Sequence, residues 1–211
     1  NVVVTTTGHT NLQISSNILK SAGGNATLTF KSAFRVTMNV NTSIRSTSNK
    51  LNVIFWSNST NNASTKGMIR FGDHMQPTAN VIIETNGGHL WVGGGANNTS
   101  WNGLTVGDGF AWGCATPSGN GWWGIELYGD CRFYTNGGNI AFRGRSTDLT
   151  SGQGASFGIY VIKSIVNAGS GNIDVTSLTD GTGLSSAPTT GIAIVGDGGF
   201  TTSTGNINIS N

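Results

Sequence analysis

The side chains able to do chemistry in this chain are few and scattered. Glycosidic cleavage needs two facing carboxyl groups, one acting as acid and one as base or nucleophile. Asp73, Asp108, Asp130 and Asp197 are candidates by residue type. All four follow a glycine at the end of a strand-like run, in GMIRFGD, GLTVGD, GIELYGD and GIAIVGD. Asp suits that slot because its carboxylate can bond backbone N–H groups in a turn. The shared slot predicts four structural corners rather than a catalytic pair. Stacked, the same carboxylates could offer some of the oxygens that Ca²⁺ requires, a weaker reading.

Lyase chemistry would want an Arg or Lys base beside an acidic metal site. Arg132, Arg143 and Arg145 follow Asp130, but nothing in their spacing sets them apart from outward-facing strand residues. His9, His74 and His89 lie far apart without ligand spacing, and His89 stands where a later copy of its phrase has Asn139. A GxSxG motif and a phosphate loop are both lacking. The sequence predicts no enzyme activity, no cofactor and no metal site.

Aromatic residues are more suggestive. Trp91, Trp101, Trp112, Trp122 and Trp123 fall within 33 residues, with Phe110, Tyr128 and Tyr134 nearby. Exposed aromatic faces stack on sugar rings and anchor interfaces, so Trp101, Trp112, Trp122 and Trp123 are candidate ligand-binding residues. The alternative is that they fill a loop-built satellite core. Cys114 and Cys131 flank the Trp122-Trp123 pair, 17 positions apart. In an oxidising compartment a disulfide between them would close that loop, stabilising it by about 3 kcal/mol. Two buried thiols acting as small core residues are the alternative.

The elements that must carry these residues follow from composition. Charged residues make up 9 % of the 211-residue chain, Gly contributes 33 residues and Pro 3. Yet 6 Trp, 9 Phe and many Val, Ile and Thr fit pleated, half-buried surfaces, which a disordered chain would lack. Helix formers are scarce, so the class is all-β. The net charge of +2 comes from scattered basic residues, which excludes a nucleic-acid footprint. No apolar run reaches the length of a membrane-spanning helix.

Two phrases recur. One is the Gly-to-Gly-Asp strand above, with GIYVIKS from Gly158 as a variant lacking the turn. The other is a Gly-rich turn leading into a strand: TNGGHLWVGG, TNGGNIAFRG, AGSGNIDVTS and STGNINIS. Gly124 to Asn139, Gly158 to Asn172 and Gly191 to Asn206 are 15, 14 and 15 residues apart, while Gly103 and Gly124 stand only 21 apart. A near-constant unit with variable insertions predicts a single parallel β-solenoid over 1–211, with a loop-rich aromatic insertion at 95–123. A β-sandwich has similar short strands but does not explain the pairing of phrases.

The Gly-Asn-Ile turns, TNGGNIAFRG, GGNATLTF and NKLNVIF resemble the filamentous-haemagglutinin type of right-handed parallel β-helix. That family builds the stalks of large bacterial surface adhesins exported by two-partner secretion. The resemblance implies a secreted or cell-surface protein, an adhesive or structural role, and glycans or a host surface receptor as partners. The Trp-rich stretch and the two cysteines depart from plain stalk repeats. Some adhesins of this type are glycosylated at N-x-S/T triplets, and Asn25, Asn41, Asn58, Asn62, Asn97, Asn98 and Asn208 each begin one. NVVVTTTG at the start and GNINISN at the end look like uncapped coil strands, which invite pairing with other copies or flanking repeats.

Overall fold

A computed structural model describes residues 1–62, 66–74, 76, 78–114, 123–147, 156–180 and 189–211. Among them are 21 strands and no helix. The first coil comprises β1 (Val2–Thr6), β2 (Leu12–Ile14) and β3 (Ile18–Lys20). The second comprises β4 (Ala26–Ser32), β5 (Val36–Met38) and β6 (Ser43–Ser46), and the third β7 (Leu51–Ser57), β8 (Ile69–Phe71) and β9 (Ile82–Glu84). The fourth opens on the long β10 (Leu90–Trp101), continues through β11 (Leu104–Gly109) and β12 (Ala111–Trp112), and closes with β13 (Ile125–Tyr128) and β14 (Arg132–Tyr134). The fifth comprises β15 (Ile140–Arg145), β16 (Ser156–Ile162) and β17 (Ile165–Asn167). The sixth comprises β18 (Ile173–Leu178), β19 (Thr189–Val195) and β20 (Gly199–Thr201), and β21 (Ile207–Ser210) begins another.

Each coil gives a strand to each of three sheets, and the fourth adds β11 and β12 to the first of them. Sheet A orders β1-β4-β7-β10-β15-β18-β21, sheet B β19-β16-β13-β8-β5-β2, and sheet C β20-β17-β14-β9-β6-β3. Among the described strands every coil-to-coil pairing is parallel and the β10–β11 pair is antiparallel, with an isolated antiparallel bridge between Gly67 and Trp112. This is the stacked architecture expected of a parallel β-solenoid.

Register explains why such short strands hold. Leu28, Val53, Leu90, Ile140 and Ile173 occupy one inward column of sheet A, with Phe30, Phe55, Val92, Phe142 and Val175 two residues on. Sheet B aligns Val36, Ile69, Ile125 and Ile159, and sheet C aligns Ile44, Ile83, Phe133 and Val166. All belong to one continuous buried core. Within it a chain of rings runs Phe30–Phe55–Phe71–Phe133–Phe142–Phe200, with successive centroids 5.4, 4.8, 4.8, 6.4 and 5.9 Å apart. Each buried ring contributes about 1.5–3 kcal/mol. A one-residue slip would turn every column outward.

The corner before sheet A is kept by glycine for want of space. A Cβ on Gly138 would stand 1.9 Å from the carbonyl oxygen of Gly88, and one on Gly171 would stand 2.2 Å from that of Gly138. Gly205 repeats the approach against Gly171 at 2.1 Å. Threonine completes this corner: buried Thr85 and Thr135 donate Oγ1–H to the carbonyls of Gly88 and Gly138.

One residue before the inward column, a polar ladder crosses all the coils. Thr27 N–H donates to Asn1 Oδ1, Asn52 Nδ2 to Thr27 Oγ1, His89 N–H to Asn52 Oδ1, Asn139 N–H to His89 Nδ1, Asn172 N–H to Asn139 Oδ1 and Asn206 N–H to Asn172 Oδ1. These bonds span 26, 25, 37, 50, 33 and 34 residues, which are the coil lengths. The scaffold thus absorbs insertions without breaking its stack.

Candidate functional site

The 50-residue coil carries the aromatic stretch, and its first part is ordered differently from the expected loop. β10 and β11 form a hairpin with Trp101 opposite Leu104. Asn102 and Gly103 both have positive φ, 48° and 75°, as a two-residue type I′ turn requires. The hairpin covers the outer face of sheet A and closes a second cluster of Ile54, Trp56, Trp91, Val106 and Ala141, against which Trp101 and Leu104 pack. Trp56 Nε1 donates to the Gly95 carbonyl at 2.6 Å. Asn139 Nδ2 donates to Asn102 Oδ1 at 3.1 Å and Trp101 meets His89 edge-on, which fixes the hairpin tip to the ladder.

The four candidate tryptophans therefore differ. Trp101 is half-buried, packed on its inner side and lining a pocket on the other. Trp112 is half-buried between cations, with the Arg145 guanidinium 3.9 Å and Lys66 Nζ 4.8 Å from the ring centroid. Trp123 is buried, only 5 % exposed, and stacks on Tyr160 at 5.4 Å. Trp122 lies outside the described residues.

A polar constellation occupies the outer face of sheet B. Glu126 on β13 is fully buried there, beside Arg70 on β8 in the adjoining coil. Arg70 Nε donates to Glu126 Oε2 at 2.8 Å, and His74 Nδ1 lies 3.4 Å from Glu126 Oε1. His74 Nδ1 and Glu126 Oε1 form no hydrogen bond, so the contact is electrostatic. Glu126 raises the His74 pKa by this close contact, against desolvation and with added through-space attraction. Trp123 and Tyr128 pack on the His74 ring at 4.9 and 5.2 Å. A cleft of about 470 Å³ runs on from Arg70, lined also by Gln13, Arg35, Thr37, Asn39 and Asp73.

No family model, curated protein or solved structure matches the chain.

Two sequence expectations need correction. The four aspartates do not share one slot. Asp73, Asp130 and Asp197 each lie just past a strand of sheet B, at one edge of the stack. Asp108 instead sits within β11, on the returning arm of the hairpin. Its Oδ2 accepts from Asn97 Nδ2 at 2.9 Å and its Oδ1 from Asn97 N–H at 3.2 Å, and the side-chain bond leads the causes that lower its pKa. The GLTVGD phrase is thus no coil strand, which accounts for its irregular spacing from Gly124. Asp73 and Asp130 follow paired strands of adjoining coils, Asp197 lies two coils further on, and no group of three potential metal ligands occurs among the described residues.

The cysteines are not bridged; both thiols are free and buried. Cys131 belongs to the inner core, with its Sγ 3.5 Å from the Phe71 carbonyl, and burial pushes its pKa up to about 12. Cys114 Sγ accepts from Arg35 Nε at 3.1 Å, and burial raises its pKa too. Core packing and an arginine contact hold the two sulfurs in separate surroundings. Of the sequons, Asn58 is closed by burial at 1 % exposure, while Asn97, Asn98 and Asn208 are exposed.

His89 carries a pH dependence that no other member of the ladder has. It accepts the Asn139 N–H at 2.9 Å through Nδ1, so the ring must be neutral with its proton on Nε2. Burial, then Lys50, lowers its pKa below the ordinary value of 6.5. A folded pKa below the unfolded one means that the unfolded chain takes up the proton first. The stabilisation is therefore full above about pH 6.5 and falls away as pH drops from there towards the folded pKa. His89→Asn restores an amide acceptor, so urea midpoints should shift in favour of the variant as pH falls from about 7 to about 5. A wild-type-minus-variant difference that ignores pH would count against the neutral Nδ1 assignment.

Proposed function

We propose that the chain is a non-enzymatic, extracellular β-solenoid, a right-handed parallel β-helix of the filamentous-haemagglutinin type, serving as a rigid adhesive or structural element. Right-handed crossovers are the rule for parallel strands in one sheet, which supports the hand. The observation that carries the reading is the three-sheet parallel stack around one continuous apolar core. In columns whose central members Phe55, Val92 and Phe142 are 0 % exposed, Val4 is 42 % and Ile209 57 % exposed. Val2 and Ile207, also inward, are 58 % and 41 % exposed. The terminal strands pair on one side only. A further coil stacked there would remove apolar surface from water at about 25 cal/mol per Å² and pair the open backbone edges. Whether that coil belongs to the same polypeptide or to another molecule, the end faces act as stacking surfaces.

The test is sedimentation velocity of this chain over a rising concentration series, with electron microscopy of the associated fraction. End-to-end oligomers should form, and Val4→Lys or Ile209→Lys should reduce them. A strictly monomeric chain at high concentration would overturn the reading.

A further inference from the structure

We propose that the pocket between the β10–β11 hairpin and the outer face of β15 and β18 binds a carboxylate-bearing sugar, with Arg143 taking the carboxylate and Trp101 the ring face. The proposal rests on the adhesive half of the reading above and gives it a ligand class. The pocket has a volume of about 260 Å³, on the scale of one sugar unit. Half-buried Trp101, backed by the buried Trp91, forms its apolar wall, and Thr99, Ser100, Arg143 and Asp174 supply its polar groups. Aromatic walls beside a few convergent polar groups are the usual make-up of a small-ligand site, and tryptophan faces suit the C–H faces of sugar rings.

Arg143 decides the ligand. Arg45, Arg70 and Arg145 each have a carboxylate partner, in Glu84, Glu126 and Asp180. Arg143 has no ion-pair partner among the described residues. Its guanidinium rests over the Phe110 ring, 4.9 Å from the centroid, and burial lowers its pKa. Asp108 draws on it through space without coming within ion-pair distance, and its carboxylate bonds Asn97 instead. A guanidinium that is partly desolvated and unpaired is relieved best by an incoming carboxylate, which matches its planar fork. Asp174, whose Oδ1 already accepts from Asn208 Nδ2 at 2.8 Å, can take hydroxyl donors from the same ring. Thr99 and Ser100 can give and accept hydrogen bonds at the rim. The register opposite Arg143 helps as well: Gly93 has no side chain, and a Cβ there would stand 2.8 Å from the Trp91 ring, so the indole can lie across it.

The experiment is isothermal titration of the full chain with a β-glucuronide disaccharide and with the same disaccharide reduced at the carboxyl group to the alcohol. The acid should bind about ten- to a hundredfold tighter, the worth of one charge-assisted contact, and its advantage should shrink with added salt. Arg143→Gln should abolish the preference, and Trp101→Leu should weaken both sugars. Equal binding of the two sugars, failure of both to bind at millimolar concentration, or an undiminished preference in Arg143→Gln would each overturn the proposal. Because Arg143→Gln also loses the Phe110 contact, its unfolding midpoint is read alongside; the two-sugar comparison on the unaltered chain stands without it. Failure of coil stacking would leave this comparison untouched, and failure here would leave the stacking result standing.

Discussion

Gly138→Ala is expected to lower the stability of the fold by about 3 kcal/mol or more, at or beyond the upper end of ordinary overpacking. The added methyl would stand 1.9 Å from the Gly88 carbonyl oxygen, 2.5 Å from its carbon and 3.1 Å from the His89 nitrogen. All three are backbone atoms of the preceding coil, so no side chain can swing aside. The coils would have to part at this corner, where Asn139 N–H meets His89 Nδ1 and Thr135 caps the Gly138 carbonyl. The neighbouring corners at Gly171 and Gly205 are equally tight, so movement in one direction only transfers the clash. Gly24→Ala is the control, since its Cβ would meet nothing within 4 Å and its φ is not positive. That change should be neutral or stabilising by a few tenths of a kcal/mol through the unfolded state. Urea unfolding of the two variants and the wild type measures both, and similar midpoints for all three would contradict the corner argument.

Arg70→Met is expected to destabilise by about 3 kcal/mol, the lower end of the range for breaking a buried pair. The lower end applies because the Arg70 side chain is still 20 % exposed, whereas Glu126 is fully buried. Methionine keeps the aliphatic bulk against sheet B but leaves the Glu126 carboxylate, among the described residues, with His74 alone as a cationic neighbour. The pH dependence has a definite sign. The His74 pKa is raised in the folded state, so its contribution is present below the ordinary imidazole value and lost as pH rises through the folded value. In the variant that contribution is the remaining compensation among the described residues. The deficit should therefore be smallest in acid and grow as pH rises past the His74 titration. A deficit that stays constant over that range would mean that His74 does not serve the carboxylate. Replacing both Arg70 and Glu126 with apolar residues should restore much of the loss, because the buried charge is then gone.

The sequence reveals sheets A and B and conceals sheet C. The strands after TNGG and its variants alternate over enough residues to be recognised, and they are β10, β15, β18 and β21. Sheet C strands such as Ile82–Glu84 and Ile165–Asn167 have three residues each, too few for a period of two to register. The Gly-to-Gly-Asp phrase is more deceptive. Aligned on its first glycine, it sets Ile69 beside Glu126, but the actual register pairs Ile69 with Ile125 and Arg70 with Glu126. That one-residue offset hides the ion pair from any reading that aligns the phrases as written. The hairpin carries its own signal, Asn102-Gly103 between apolar residues, but the phrase GLTVGD that follows competes with it. Buried arginine contacts such as Arg35 with Cys114 join residues 79 positions apart and have no local signature.

The unequal coil lengths bear on how such an element would answer tension. The backbone bonds of all three sheets run along the stacking direction, from one coil to the next. A pull on the two ends of the chain therefore peels strands off the stack rather than shearing them past one another, and coils detach singly. Each detachment releases as much chain as its coil holds, from 25 residues in the second coil to 50 in the one that carries the hairpin. The long coil is thus a reserve of extensible length within the stack.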